Sequence, residues 1–294
     1  MTAYCLKIGR LFLISLLVIS PLMLGDFLPQ KSLVSYNAGP IEAAPLHRFY
    51  QPLSTAATTA KQASAKPSPA LQPMILPEAE EPVAEAAHHH YTVAVLGDSM
   101  INVMGENLPS LTQALNTFYH QAEFSLLNYG VGATTIEQSL ARIPSLIAQN
   151  PDIVVIESFA YNHWSNSQAD LDRQWLTLAK IIDQIKIQSQ AKIVLTATIA
   201  PDEQNLCDGI EGLNLSADQK KEKAQTIRAY LQNLTNFATS QGYPLADAYH
   251  PSLGANGNGQ AIYVNANDHL HPSTAGINLI SQRIAEAIYQ NNLL

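Results

Sequence analysis

Residues 267–276 of this 294-residue chain read NDHLHPSTAG, which puts Asp268, His269 and His271 within four positions. Two chemistries fit. On an extended segment alternate side chains point the same way, so two imidazoles and a carboxylate could offer ligands to a divalent cation. The same letters spell Asp-x-x-His, in which the carboxylate holds one imidazole in a single tautomer, ready to take a proton from a nucleophile. A nucleophile is available far upstream. The apolar run TVAVLG ends in Gly97, Asp98 and Ser99, where a glycine permits a sharp turn and the serine hydroxyl is presented beyond the strand. Residues 128–135, NYGVGATT, carry closely spaced glycines that let main chain approach a substrate and offer an N–H to an oxyanion. In ESFAYNHW, Asn162 follows Glu157 by five residues and could aim its amide at the same place. Singly, each of these is an ordinary turn residue or helix cap. Together they supply a nucleophile, a base, an orienting carboxylate and oxyanion donors, the parts needed for acyl transfer from an ester.

These residues matter only if the elements between them bring them together. TVAVLG (92–97), FSLLNYG (124–130), DIVVIES (152–158) and KIVLTATIA (192–200) are continuous apolar runs, the pattern of parallel strands buried on both faces. PLADAY (244–249) is expected as a shorter fifth strand. Between the strands, Leu108, Leu111, Leu115 and Phe118 recur at helical spacing, as do Leu171, Trp175, Leu178, Ile182 and Ile185. Pro144 should kink or split a helix that begins near Ile136. Ser216 and Gln219 form a capping box opening a long helix through Ile227, Leu231 and Leu234, and a last helix carries Ile277, Ile280, Ile284 and Ile288. Strands alternating with helices predict an open α/β sheet covered on both faces, with ligands at the carboxyl ends of the strands. Ser99, the glycines, Asn162 and the Asp268/His271 pair all follow expected strands.

The first 90 residues differ. Lys7 and Arg10 precede the apolar stretch 11–25, LFLISLLVISPLMLG, the pattern of a signal peptide or an N-terminal membrane anchor over residues 1–28. Residues 29–90 are rich in Pro, Ala, Ser and Thr, end in His88, His89 and His90, and are expected to be a disordered linker. The folded domain should then occupy 91–294, outside the cytoplasm, secreted or held at the membrane through residues 11–25. A net charge of −8 with only 16 Lys and Arg argues against nucleic acid as a partner, since phosphate binding needs clustered cations. Two cysteines, Cys5 and Cys207, give no basis for a disulfide framework or a thiolate metal site.

In this order, Gly-Asp-Ser, a glycine block, a block ending in Asn162 and Asp-x-x-His-Pro resemble the SGNH/GDSL hydrolase superfamily, over about residues 91–291. The resemblance implies a flavodoxin-like three-layer α/β/α sandwich on a mostly five-stranded parallel sheet, and a serine esterase that uses no cofactor and no metal. It implies Ser99 as nucleophile, His271 as general base and Asp268 as its orienting partner. The oxyanion hole would be the main-chain N–H of Ser99, a glycine N–H of the second block and the Asn162 amide. Two departures stand out. The third block has Ala160, Tyr161, Asn162 and His163 where Gly-x-Asn-Asp is usual. The second block puts Ala133 at the usual donor position unless one residue is deleted, in which case Gly132 takes it; Gly132 is the expectation. The substrate would be an ester, on a small molecule, a lipid or an acylated glycan. Acyl transfer to a sugar hydroxyl would use the same residues, and a non-catalytic surface binding module could keep the same fold. Asp98 and Asp247 are expected to fix turns, Tyr161 and Trp164 could line a pocket, and His163 and His250 show no partner spacing.

Overall fold

A computed structural model describes residues 89–294, so the expectations for 1–28 and for 29–88 lie outside the described residues. The apolar runs form five strands: β1 His89–Gly97, β2 Ala122–Gly130, β3 Ile153–Glu157, β4 Lys192–Ala197 and β5 Leu245–Asp247. All pair in parallel, in the order β2-β1-β3-β4-β5. This is the flavodoxin-like order, in which the chain reverses direction across the sheet between β1 and β3.

Each strand sends alternate residues to opposite faces, and both faces are covered. On one face Ala94, Leu96, Val154, Ile156, Ile193 and Leu195 pack with Leu178, Ile182, Ile185, Ile227, Leu231 and Leu234. On the other, Val93, Val95, Ile153, Val155 and Val194 pack with Leu111, Leu115, Ile280, Ile284 and Ile288. Burying each such Leu or Ile contributes about 1.5–3 kcal/mol relative to leaving it in water. Because both faces of β1, β3 and β4 are dry, these strands carry no polar alternation in their middles, which is why they stand out in the sequence.

The helices are α1 Ser99–Asn102, α2 Pro109–Asn116, α3 Ile136–Ser139, α4 Ile143–Ile147, α5 Gln168–Gln188, α6 Ala217–Gln241, α7 Tyr249–Ser252 and α8 Thr274–Gln290. Pro144 divides the segment after Ile136 as expected: a 3-10 turn at Leu140–Arg142 separates α3 from α4, and the proline sits in the first turn of α4, where its missing N–H costs nothing. The Ser216/Gln219 capping box is present at α6, and Thr135 and Gln138 form another at α3. Among the described residues, no helix is long and apolar enough to cross a membrane.

Several boundaries differ from expectation, with β2 beginning two residues early at Ala122. β1 begins at His89, because His89 and His90 pair with Ala122 and Glu123 of β2. β4 ends at Ala197: residues 198–200 stay buried but leave the sheet, and the Tyr161 hydroxyl and Ala200 N–H bond to Ile199 O and Ser252 Oγ instead of a neighbouring strand. β5 stops at Asp247, whose carboxylate accepts the His250 N–H and starts α7.

Candidate active site

The site grows from the turn between β1 and α1. Asp98 caps α1: one carboxylate oxygen accepts the Met100 N–H at 2.8 Å, and the other accepts the Asn162 amide Nδ2 at 2.8 Å. A residue leaving β1 is thereby tied to one in the loop after β3, across the point where strand order reverses. Ser99, the first residue of α1, is 4% exposed, and Asp98 is fully buried. Burial raises the Asp98 carboxyl, opposed by the Met100 N–H, the Asn162 amide and the positive charges of His271 and Arg142. His271 therefore lies within electrostatic reach of the residue next to Ser99, although 172 positions separate it from Ser99 in sequence.

Beneath the turn lies Glu157, the last residue of β3, also fully buried. Its carboxyl takes hydrogen bonds from the Ser158 hydroxyl at 2.6 Å and the Phe159 N–H at 2.7 Å. Burial, and then the negative charge of Asp98, push it well above the usual carboxylate range. Arg142 completes this layer. Its guanidinium donates to the carbonyls of Gly97, at 2.9 Å, and Tyr129, and to Thr134 Oγ1 at 3.2 Å. One cation thus ties the ends of β1 and β2 to the glycine loop. Burial lowers its pKa while Asp98 and Glu157 oppose that shift, the balance expected of a cation held among buried carboxyls. Sequence reasoning did not single out Glu157 or Arg142 as site residues. The available signal was a charged residue closing the apolar run DIVVIE and a single arginine inside the apolar stretch LARIPSLI.

The glycine loop is shaped by Asn128, which donates to Ile101 O at 3.0 Å and Gly105 O at 2.8 Å and accepts the Gly130 N–H at 2.8 Å. Gly130 must lack a side chain, because a Cβ there would fall 2.3 Å from Asn102 N. Gly132 is the loop residue that faces the serine, and a Cβ on it would lie 3.9 Å from Ser99 Cβ. Ala133 adopts φ +57°, the left-handed region that favours glycine. An L-residue pays roughly 1–2 kcal/mol there. Ala133→Gly is therefore expected to stabilise the protein by about 1 kcal/mol, raising Tm by about 2–4 °C in a domain of this size. A thermal melt showing a lower Tm would contradict this account of the loop.

After β3 the chain turns through Phe159, also left-handed at φ +55°, and the side chains then diverge. Tyr161 is partly buried and structural, its hydroxyl donating to Ile199 O. His163 turns inward, Nδ1 bonding Ala160 O at 2.9 Å and the ring 5.5 Å from that of Tyr230. Burial, then the charge of Lys223, depress its pKa to about 4, so it is neutral at physiological pH. Trp164 turns outward and is 56% exposed.

The last part comes from the loop before α8. Asp268 Oδ1 accepts the N–H groups of Leu270 at 2.9 Å and His271 at 3.0 Å, and Oδ2 lies 2.9 Å from His271 Nδ1. With Nδ1–H donating to the carboxylate, Nε2 is the basic nitrogen of His271. Burial would raise the Asp268 carboxyl, but the His271 ring and the two N–H groups outweigh it and hold it below its ordinary value. The loop is braced from outside: Cys207 N–H donates to His269 O at 3.1 Å, and Gly209 packs so closely that a Cβ would meet Asn267 O at 2.1 Å. Among the described residues, no three His, Cys, Asp or Glu side chains form a set that could hold a metal ion. A second Asp-x-x-His corrects the reading of His250 as unpartnered. His250 Nδ1 lies 2.6 Å from Asp247 Oδ2 and its N–H donates to Asp247 Oδ1 at 3.0 Å.

Gly132 therefore borders Ser99, Asn162 bonds the residue beside it, and His271 lies close enough for its charge to lower the carboxyl of that same residue. A serine, an oriented imidazole, and a loop and amide on the serine side can together perform acyl transfer. A five-stranded parallel sheet carrying this constellation at its switch point defines an α/β ester hydrolase. The chain belongs to the GDSL-like lipase/acylhydrolase family, whose model matches residues 95–278.

Solved structures agree with the fold. A Bacteroides fragilis protein assigned to the acylhydrolases is similar at TM-score 0.51 and 21% identity, covering 69% of this chain and 88% of that one. A catalytic mutant of an acetylxylan esterase from Geobacillus stearothermophilus is similar at TM-score 0.50 and 17% identity, covering 68% and 95%. A lipase/acylhydrolase from Enterococcus faecalis is similar at TM-score 0.50 and 18% identity, covering 68% and 96%. No curated protein matches the sequence.

Proposed function

We propose that this ester hydrolase is exported and cleaves short-chain O-acyl esters through an acyl-enzyme on Ser99. The observation that carries the reading is the Asp268–His271 pair, its Nδ1 committed to the carboxylate, within electrostatic reach of the turn that presents Ser99. His271 Nε2 takes the hydroxyl proton as Ser99 Oγ bonds to the ester carbonyl carbon. The resulting oxyanion is met by the N–H groups of Ser99 and Gly132 and by the Asn162 amide. Asn162 Nδ2 carries two hydrogens and gives one to Asp98, which leaves the other for this role. Collapse expels the alcohol, which takes the proton back from His271. A water then adds to the acyl carbon by the same route, releasing the acid and restoring Ser99.

Lys7 and Arg10 ahead of residues 11–25 support export. One experiment addresses both claims. A membrane-impermeant fluorophosphonate, applied to intact cells, is expected to label Ser99, as located by peptide mass spectrometry. Labelling only after lysis would refute export, and no labelling of the folded protein in either case would refute the nucleophile.

A further inference from the structure

Two residues beyond Asn162, the loop after β3 presents an indole to solvent. The chain between them spans at most about 7 Å, which keeps the Trp164 main chain beside the residue that bonds Asp98. Its neighbour His163 is turned into the protein against Ala160 O and Tyr230, and this anchors the loop and sends the next side chain outward. A large aromatic left 56% exposed forgoes much of its burial energy, yet this one is held in place. The Arg173 guanidinium lies over the ring, 5.7 Å from its centroid. Arg173 is paired with Asp170 Oδ1 at 3.1 Å. The other oxygen of Asp170 accepts the Ser165 hydroxyl, and the Ser167 hydroxyl at 2.9 Å. The Ser165 and Ser167 hydroxyls and Arg173 hold the Asp170 carboxyl below its ordinary value, so the pair stays charged and the support persists across the neutral range.

We propose that Trp164 is a substrate-binding platform that selects a sugar as the alcohol side of the ester, making O-acylated glycans the substrate class. This rests on the hydrolase reading above. A sugar ring offers a C–H face to a flat aromatic surface and hydroxyls to polar groups beside it, and here the Arg173 guanidinium, paired with Asp170, lies against the indole. A hydrocarbon chain laid against the same indole would border that ion pair and desolvate it without offering it a hydrogen bond, which is costly. This surface thus suits a ligand that is apolar on one face and hydroxylated around its perimeter.

The test compares two acetates that differ only in the alcohol, 6-O-acetylglucose and ethyl acetate, with ethyl octanoate as a third substrate, on the full chain. Trp164→Ala is expected to raise KM for 6-O-acetylglucose about tenfold, as loss of an aromatic contact does, with kcat little changed. Its kcat/KM for ethyl acetate should stay within about twofold of wild type, since only the indole–sugar contact is lost. Trp164→Phe should restore most of the sugar-ester KM. Equal loss on both acetates would make Trp164 merely structural, and loss confined to ethyl octanoate would make it an acyl-chain contact; either result overturns the proposal. Binding gives an answer independent of turnover. Cellotriose should perturb the indole emission of wild type and of Ser99→Ala, but not of Trp164→Phe, and no response in wild type would overturn the proposal. If neither acetate is turned over while cellotriose still binds through Trp164, the hydrolase reading fails and the platform stands.

Discussion

Ser99→Ala is expected to lower kcat for ethyl acetate by about 10⁴- to 10⁶-fold while leaving the fold intact. The magnitude follows from the division of labour in such sites, where removing the nucleophile leaves only the oxyanion donors and binding, worth roughly 10³–10⁴ over water. The fold should survive because Ser99 contributes its main chain to the turn, and alanine keeps that main chain. The Asp98 cap on Met100 N–H and the Asn162 bond to Asp98 do not involve the Ser99 side chain. Steady-state kinetics beside a thermal melt check both halves. Activity within a factor of ten of wild type would show that Ser99 is not the nucleophile, and a collapsed Tm would show that its hydroxyl is structural.

The second large effect separates two neighbouring histidines. His271→Ala is expected to lower kcat by about 10⁴-fold or more, since the base is lost together with its proton-transfer path. It should also destabilise the protein, because Asp268, whose carboxylate bonds the His271 ring, loses that partner in a partly buried position, a change that typically costs about 1–3 kcal/mol. His269→Ala should cost less than about threefold, as expected of a residue outside the reacting set. The contacts that His269 makes through its main chain, its N–H to Asn265 O and its carbonyl to Cys207 N–H, survive the change. If His269→Ala proved the more damaging variant and chelator abolished activity, the loop would be a metal site after all and the serine mechanism would fall.

The parallel sheet was legible in the sequence because burial on both faces removes polar residues from the middle of strands such as VAVLG and IVVI, and few other structures tolerate such runs. The strand ends were less legible. Nothing in KIVLTATIA distinguishes the residues that pair with β5 from Ile199 and Ala200, which stay buried by packing under Tyr161 and Ser252. The glycine loop shows the same limit. Sequence spacing leaves Gly132 and Ala133 as rivals, whereas the structure puts Gly132 against Ser99 and Ala133 in a conformation usually left to glycine. Glu157 and Arg142 were missed as site residues for a related reason: a charge beside apolar residues reads as a boundary until the fold buries it among main-chain partners.

Asp-x-x-His shows most plainly where sequence stops. The motif occurs twice, at Asp247/His250 and Asp268/His271, and both pairs close the same local bonds, the carboxylate taking the histidine N–H and the ring Nδ1. That geometry spans four residues and needs nothing else, so both pairs are encoded locally, although only the Asp268/His271 pair was read from the sequence, along with the strands, the helix caps and the chemistry these residue types can perform. Only the tertiary structure decided which pair acts on the turn that carries Ser99. Electrostatic reach to Asp98 depends on the order β2-β1-β3-β4-β5 and on the brace that Cys207 and Gly209 apply to the loop before α8. Those are long-range contacts, and no spacing along the chain encodes them.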